Sequence, residues 1–337
     1  ACDGFSWVPG GCYMKKRNQT LGAPPFVKVE KQGVFSGLAC EKEGIEYPWI
    51  ESEIDKHTLP APKEPQEAPP CSMLCIELVV PYSYEIGLVK MQYRGKMGIF
   101  QCDRFAVYSS EELIVAPGLV TRKVNSSQVA ELGGQWNTAL NTDIFLAMWR
   151  AVILDGDYLK VNWLVKVDPD TVFFPNRLVR YLQEQEAKNS TDVNGTGVYF
   201  NNCKVGLHGP IEVFSQNALR TLALQSKNCF WAENDWGNWQ WGEDMWVDQC
   251  FMKTAFENRV FIPQLMVEDH CDHWWGWESC TAVDRVAFHP FKDLWRYKTC
   301  YNNGVRVSAT TTTPTIANTS TSTEAPVVIV QPDQPSL

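Results

Sequence analysis

The triplet Asp168-Pro169-Asp170 places two carboxylates one residue apart, directly after the apolar run "VNWLVKV". Like charges at that spacing repel, and burying either one unpaired is costly. Two arrangements resolve the conflict: a shared divalent cation, or a solvated loop. Pro169 fixes its own φ and pushes Asp168 toward extended geometry. In extended chain, positions i and i+2 share a face, so both carboxylates can converge on one cation. Oxygen ligands of this kind suit Mg²⁺ or Mn²⁺. A bare D-x-D pair also arises by chance in loops. An apolar strand before it and a helical pattern after it favour the metal.

The elements that must position this pair alternate in type. Strand-like runs occur at 73–82, 99–110, 161–168, 197–202 and 285–291. Helical periodicity marks 141–156, where Ile144, Met148, Ala151 and Val152 share a face. It also marks 174–188, where the first turn follows Pro175, and 244–256. Segment 209–224 is a strand followed by a helix capped near Ser215. Alternating strands and helices imply an α/β fold with a mostly parallel central sheet flanked by helices. Ligands of such sheets bind beyond the carboxyl ends of strands, which is where Asp168 and Asp170 fall.

Around this core the composition changes. Residues 1–54 form a small Cys-rich β module, 55–70 a Pro-rich linker, 71–304 the main domain and 305–337 a Thr-rich disordered tail. The 337 residues carry a net charge of -9 and no long basic run, which argues against nucleic acid as a partner. No apolar stretch is long enough to span a bilayer. The chain opens "ACDGFSW" without a signal peptide, as a segment cut from a longer precursor would. Twelve cysteines accompany N-x-S/T triplets at Asn18, Asn125, Asn189, Asn194 and Asn318. Together these point to a secretory-pathway lumen or the extracellular space, with most cysteines of 71–304 oxidised.

Two further groups carry chemical residue types. In "HCDHWWGWESC", His270, Cys271, His273 and Cys280 have the makings of a zinc site, but in an oxidising compartment a Cys271–Cys280 disulfide is favoured. Tryptophans crowd "WAENDWGNWQWGED" and recur at Trp274, Trp275 and Trp277. Large rings usually mean core burial. The Asn, Asp and Gly between the first group suit a loop instead, and with it an aromatic platform for sugar rings that includes Trp239 and Trp241.

The stretch "WLVKVDPDTVFFPNRL" resembles the D-x-D region of GT-A-fold glycosyltransferases of the β-1,3-galactosyltransferase and fringe-like group. Three later segments are similar in the same order: "HGPIEVFSQNAL" to a Gly-Gly-Pro segment, "WGEDMWVDQCF" to a Glu-Asp block opening a helix, and "RVAFHPFK" to a strand delivering a metal-binding His. The resemblance spans about 71–300 and extends to uncharacterised algal and dinoflagellate proteins. One departure is Pro169, where the group carries a middle Asp.

The resemblance implies a GT-A-like (Rossmann-like) fold. It further implies metal-dependent, inverting transfer of a hexose from a nucleotide-sugar, a UDP-hexose, to a glycan or glycoprotein hydroxyl in the Golgi lumen. Mn²⁺ (or Mg²⁺) would be held by Asp168 and Asp170, with His289 as third ligand and His270 or His273 as alternatives. Asp244 would be the general base and Glu243 its substitute, unless Asp244 serves only to favour a helix N-terminus. Gly209 would contact substrate. The alternative function is a non-catalytic carbohydrate-binding or extracellular-matrix protein that keeps the fold. The opening "CDGFSWVPGGCYMKK" and "GVFSGLAC" resemble the C-terminal half of a PAN/apple module, which implies a Cys2–Cys12 pair and an upstream partner for Cys40.

Overall fold

The computed structural model describes residues 4–8, 11–15, 26–27, 55–133, 137–188, 195–229, 242–254 and 259–312. In the N-terminal module, β1 (Gly4–Val8), β2 (Gly11–Lys15) and β3 (Phe26–Val27) form an antiparallel sheet. The expected Cys2–Cys12 pair and Cys40 lie outside the described side chains.

The main domain begins with β4 (Met73–Leu78), α1 (Tyr84–Gly95) and β5 (Arg104–Ser109). Short strands β6 (Ile114–Ala116), β7 (Leu119–Val120), β8 (Arg122–Lys123), β9 (Glu131–Gly133) and β10 (Thr138–Leu140) follow. Then come α2 (Thr142–Asp155), β11 (Trp163–Val167), β12 (Val172–Phe173) and α3 (Pro175–Ala187). They lead to β13 (Tyr199–Asn201), β14 (Ile211–Ser215), α4 (Gln216–Gln225) and α5 (Glu243–Lys253). The last elements are β15 (Arg259–Phe261), β16 (Met266–Val267), β17 (Ala287–Phe288) and α6 (Leu294–Thr312).

The central sheet runs β15-β13-β14-β11-β4-β5-β8. Only β14 opposes its neighbours; the other pairings are parallel. This is a mixed α/β fold with a mostly parallel central sheet flanked by helices. One face buries Leu74, Ile76, Leu164 and Phe214 with Trp149 of α2, Leu219 of α4 and Phe251 of α5. The other buries Cys75, Val165 and Val213 with Val89 of α1 and Leu178 and Leu182 of α3. The alternation of faces along β4 and β11 is the period-2 pattern of a strand covered on both sides. A small sheet, β12-β17-β16, joins α1 and α6 through a third apolar cluster containing Leu88, Phe288 and Tyr297.

The expected elements appear with shorter strands and two additions. Ser83 caps α1 by accepting from the Glu85 N–H, a helix that Gly87 and Gly95 obscure in the sequence because glycine is a poor helix former. The expected strand at 99–110 is a short 3₁₀ turn, Gly98–Gln101, then β5, with Cys102 tied to Cys75 between them. Residues 55–70 are no free spacer. His57 and Leu59 are buried, Arg150 donates to the Lys56 and Thr58 carbonyls, and Glu64 pairs with Arg220. Helix α6 carries through the expected boundary at 304 to Thr312.

Eight of the nine cysteines between 71 and 304 are paired: Cys75–Cys102, Cys203–Cys271, Cys229–Cys250 and Cys280–Cys300. The expected Cys271–Cys280 bridge is therefore replaced by two others. Cys271 packs in the apolar layer beside Cys203, while Cys280 belongs to the α6 cluster beside Cys300. Nearness in sequence loses to the partners that tertiary packing supplies.

Candidate functional site

Strand β11 ends at Val167, and the chain turns at Asp168-Pro169-Asp170. The Asp168 N–H donates to the Pro210 carbonyl at 3.1 Å, and the Thr171 N–H closes the turn onto the Asp168 carbonyl at 2.9 Å. Gln92 of α1 donates to the Pro169 carbonyl at 2.8 Å. The Asp170 carbonyl accepts from the Phe291 N–H at 2.8 Å. Because β12 pairs with β17, His289 emerges beside the turn. Ligand atoms of Asp168, Asp170 and His289 all lie within 4.8 Å of one another. His270 and His273 are exposed and outside this group.

The electrostatics ask for positive charge. Burial pushes Asp170 up, but hydrogen bonding and the charge of His289 outweigh it and hold the carboxyl below its ordinary range. Burial pushes His289 down, yet its bonds to Asp170 and Glu268 raise it to about 9. Asp168 is raised by burial and by Asp170, with Lys166 opposing. Two more carboxyls crowd in. Glu77 is fully buried with neither oxygen hydrogen-bonded, and burial followed by the charges of Glu85, Asp168 and Asp170 raises it well above its ordinary range. Burial, with Asp168 and Asp170 adding to it, raises Glu85 to about 7. Two carboxylates and an imidazole amid surplus negative charge fit a divalent cation such as Mn²⁺. Asp168 is 29% exposed, so the group is open to a ligand on that side.

A second set of side chains continues from the first. His289 Nδ1 lies 2.8 Å from Glu268 Oε2, and Glu268 Oε1 lies 2.7 Å from His208 Nε2. His208 Nδ1 is 3.9 Å from Asp244 Oδ2. That carboxylate oxygen accepts the Gly209 N–H at 2.8 Å, and Oδ1 accepts the Met245 N–H at 2.7 Å. Asp244 sits in the first turn of α5, 27% exposed. Glu243, its neighbour, is buried: Trp149 donates to it and the Lys166 ammonium lies 3.8 Å away. It is enclosed where Asp244 is open. Gly209 enters through its backbone, its N–H held by Asp244 and its carbonyl by Lys166 at 2.9 Å. Trp239 and Trp241 lie outside the described residues. Of the second tryptophan group, Trp277 is buried while Trp274 and Trp275 are exposed.

Sequence reasoning missed Lys166, His208, Glu268 and Glu77. Lys166 and Glu77 carried a signal, since each is a charge inside an otherwise apolar strand. His208 and Glu268 carried none, because sheet order alone brings them together. A second cluster of ligand types, His208, Glu268 and Cys271, is closed to a metal because the Cys271 sulfur is bonded to Cys203.

No protein-family model and no curated protein matches the chain. Among solved structures it is similar to an active-site mutant of LgtC, with a TM-score of 0.36 and 9% identity over 65% of this chain and 87% of that one. A likeness at that level says nothing of chemistry, and the functional reading rests on the site.

Proposed function

We propose that the main domain is a metal-dependent GT-A-like glycosyltransferase that moves a hexose from a UDP-hexose to a glycan or glycoprotein hydroxyl, with inversion. The observation that carries this reading is the convergence of Asp168, Asp170 and His289 at the carboxyl end of a mostly parallel sheet, on the same rim as the open carboxylate of Asp244. Asp168, Asp170 and His289 would hold Mn²⁺ or Mg²⁺, which when bound offsets charge on a departing diphosphate. Glu268 orients the His289 ring through Nδ1, the outer partner that imidazole ligands commonly have. Asp244 accepts the proton of the attacking hydroxyl, and the Gly209 N–H fixes one of its oxygens for that task.

Four disulfides and an exposed sequon at Asn125 support a secretory-pathway lumen, such as the Golgi, or the extracellular space. Among the described residues no helix is long and apolar enough to cross a membrane.

Calorimetry of UDP with and without Mn²⁺, followed by hydrolysis of a panel of UDP-hexoses, tests the reading. UDP binding is expected to require the cation, and Asp168→Asn to weaken it at least about 100-fold, the upper end of what losing even an outer partner of a metal ligand costs. Cation-independent UDP binding, or an unaffected variant, refutes it. Glycan binding without turnover of any donor would instead establish the non-catalytic carbohydrate-binding alternative.

A further inference from the structure

Lys166 is 2% exposed and sits opposite Glu212 in the antiparallel β11–β14 register. Its ammonium donates to Glu212 Oε1 at 2.9 Å and to the Gly209 carbonyl at 2.9 Å, forms an ion pair with Asp168 Oδ1 at 3.2 Å, and has Glu243 Oε2 farther off at 3.8 Å. The Phe145 ring covers it at 4.0 Å. A buried ion pair is weak evidence for stability, because desolvation offsets most of the Coulombic gain. The Gly209 carbonyl and Asp168 belong to the two halves of the site. Asp168 is a candidate cation ligand, and Gly209 is the residue whose N–H holds Asp244.

We propose that Lys166 is a positioning residue that fixes the candidate base Asp244 relative to the cation site, through Gly209 on one side and Asp168 on the other. This rests on the transferase reading given above. The path is short: an ion pair joins Asp168 to Lys166, and hydrogen bonds run from Lys166 to the Gly209 carbonyl and from the Gly209 N–H to Asp244. Asp168 keeps its N–H bond to the Pro210 carbonyl and Asp244 keeps the Met245 N–H on Oδ1, so what the ammonium fixes is the Gly209 carbonyl, and removing it shifts the N–H that aims Asp244 Oδ2 more than it shifts the cation ligand.

The charge left behind must be managed in the test. Glu212 and Glu243 are both buried, and each has an oxygen without a hydrogen-bond partner. Lys166→Met alone strands Glu212, whereas Lys166→Met with Glu212→Gln removes both charges at similar volume. The probes are Mn²⁺ with UDP for binding and Mn²⁺-dependent UDP-galactose and UDP-glucose hydrolysis for turnover, alongside thermal unfolding. For the double variant we expect wild-type unfolding, near-wild-type Mn²⁺·UDP affinity and KM, and a kcat lower by about 10²-fold, the cost of a misplacement near 1 Å. A folded double variant with wild-type kcat overturns the proposal. So does a parallel loss of affinity, KM and thermal stability, which marks a structural lysine. If wild type shows no Mn²⁺-dependent UDP binding, the transferase reading fails and the positioning role falls with it.

Discussion

Asp244→Asn separates catalysis from folding, and the structure supplies both magnitudes. The amide oxygen of Asn can keep the bond from the Gly209 N–H, now 2.8 Å from Oδ2. Its NH₂ then stands where Oδ1 accepts the Met245 N–H at 2.7 Å, so donor faces donor and one bond is lost, about 1 kcal/mol. Loss of a negative charge from the first turn of α5 adds about 0.3–1 kcal/mol. The sum, roughly 1.3–2 kcal/mol, is a visible shift in an unfolding curve. Against a total stability of about 5–15 kcal/mol it still leaves some 99% of molecules folded. Unfolding therefore cannot account for a large loss of rate. A general base is worth roughly 10²–10⁴-fold, or about 3–5 kcal/mol of barrier. The assay is kcat for Mn²⁺-dependent UDP-hexose hydrolysis, where water takes the place of the acceptor, beside Mn²⁺·UDP affinity and urea unfolding. A rate within about threefold of wild type, under 1 kcal/mol of barrier, refutes the base assignment. A rate loss matched by lost UDP affinity makes Asp244 a structural cap instead.

Two further outcomes follow from features outside the base. Cys71 is partly exposed, yet burial first and then the hydrogen bond and charge of Glu186 push its thiol up to about 11. At pH 8 only about one molecule in a thousand carries the thiolate, so iodoacetamide should label Cys71 slowly and Glu186→Gln should speed it; labelling of Cys71 as fast as glutathione contradicts this. Cys203–Cys271 closes a span of 68 residues and braces the segment carrying Glu268 against the one carrying His208. Replacing both cysteines with alanine should cost about 4 kcal/mol by chain entropy and loosen Mn²⁺·UDP binding as well; an unchanged urea midpoint counts against that bracing.

The site is legible in the sequence where its geometry is local. Asp168 and Asp170 are two residues apart, and a turn closed by the Thr171 N–H on the Asp168 carbonyl, rather than the extended chain expected, brings them together. Ser215 as a helix cap is equally local, and its side chain does accept from the Ala218 N–H. Helix α1 is masked by its two glycines, although its Ser83 cap is present in the sequence. The disulfides lie at the other extreme. Cys271 and Cys280 are nine positions apart, yet they face different apolar clusters, and no spacing rule encodes that.

Between these limits stand residues whose type is informative but whose partner is not. A lysine in "WLVKV" and a glutamate in "MLCIEL" are anomalies in buried strands, so each signals a polar environment at that depth. What the anomaly means depends on register. Pairing Val165 with Val213 sets Lys166 against Glu212, and a slip of one residue would turn its ammonium to the opposite face. Glu268 depends on β16 lying beside β17, and His289 on β17 lying beside β12. The chain of contacts from Asp170 through His289, Glu268 and His208 toward Asp244 is thus written by sheet order, whereas the cation pair is written by two peptide bonds of local chain. A register change in β17 would remove His289 and break that chain while leaving Asp168 and Asp170 in place. The two halves of the site have separate physical origins, and Lys166, ion-paired to one and hydrogen-bonded to the other, is where they meet.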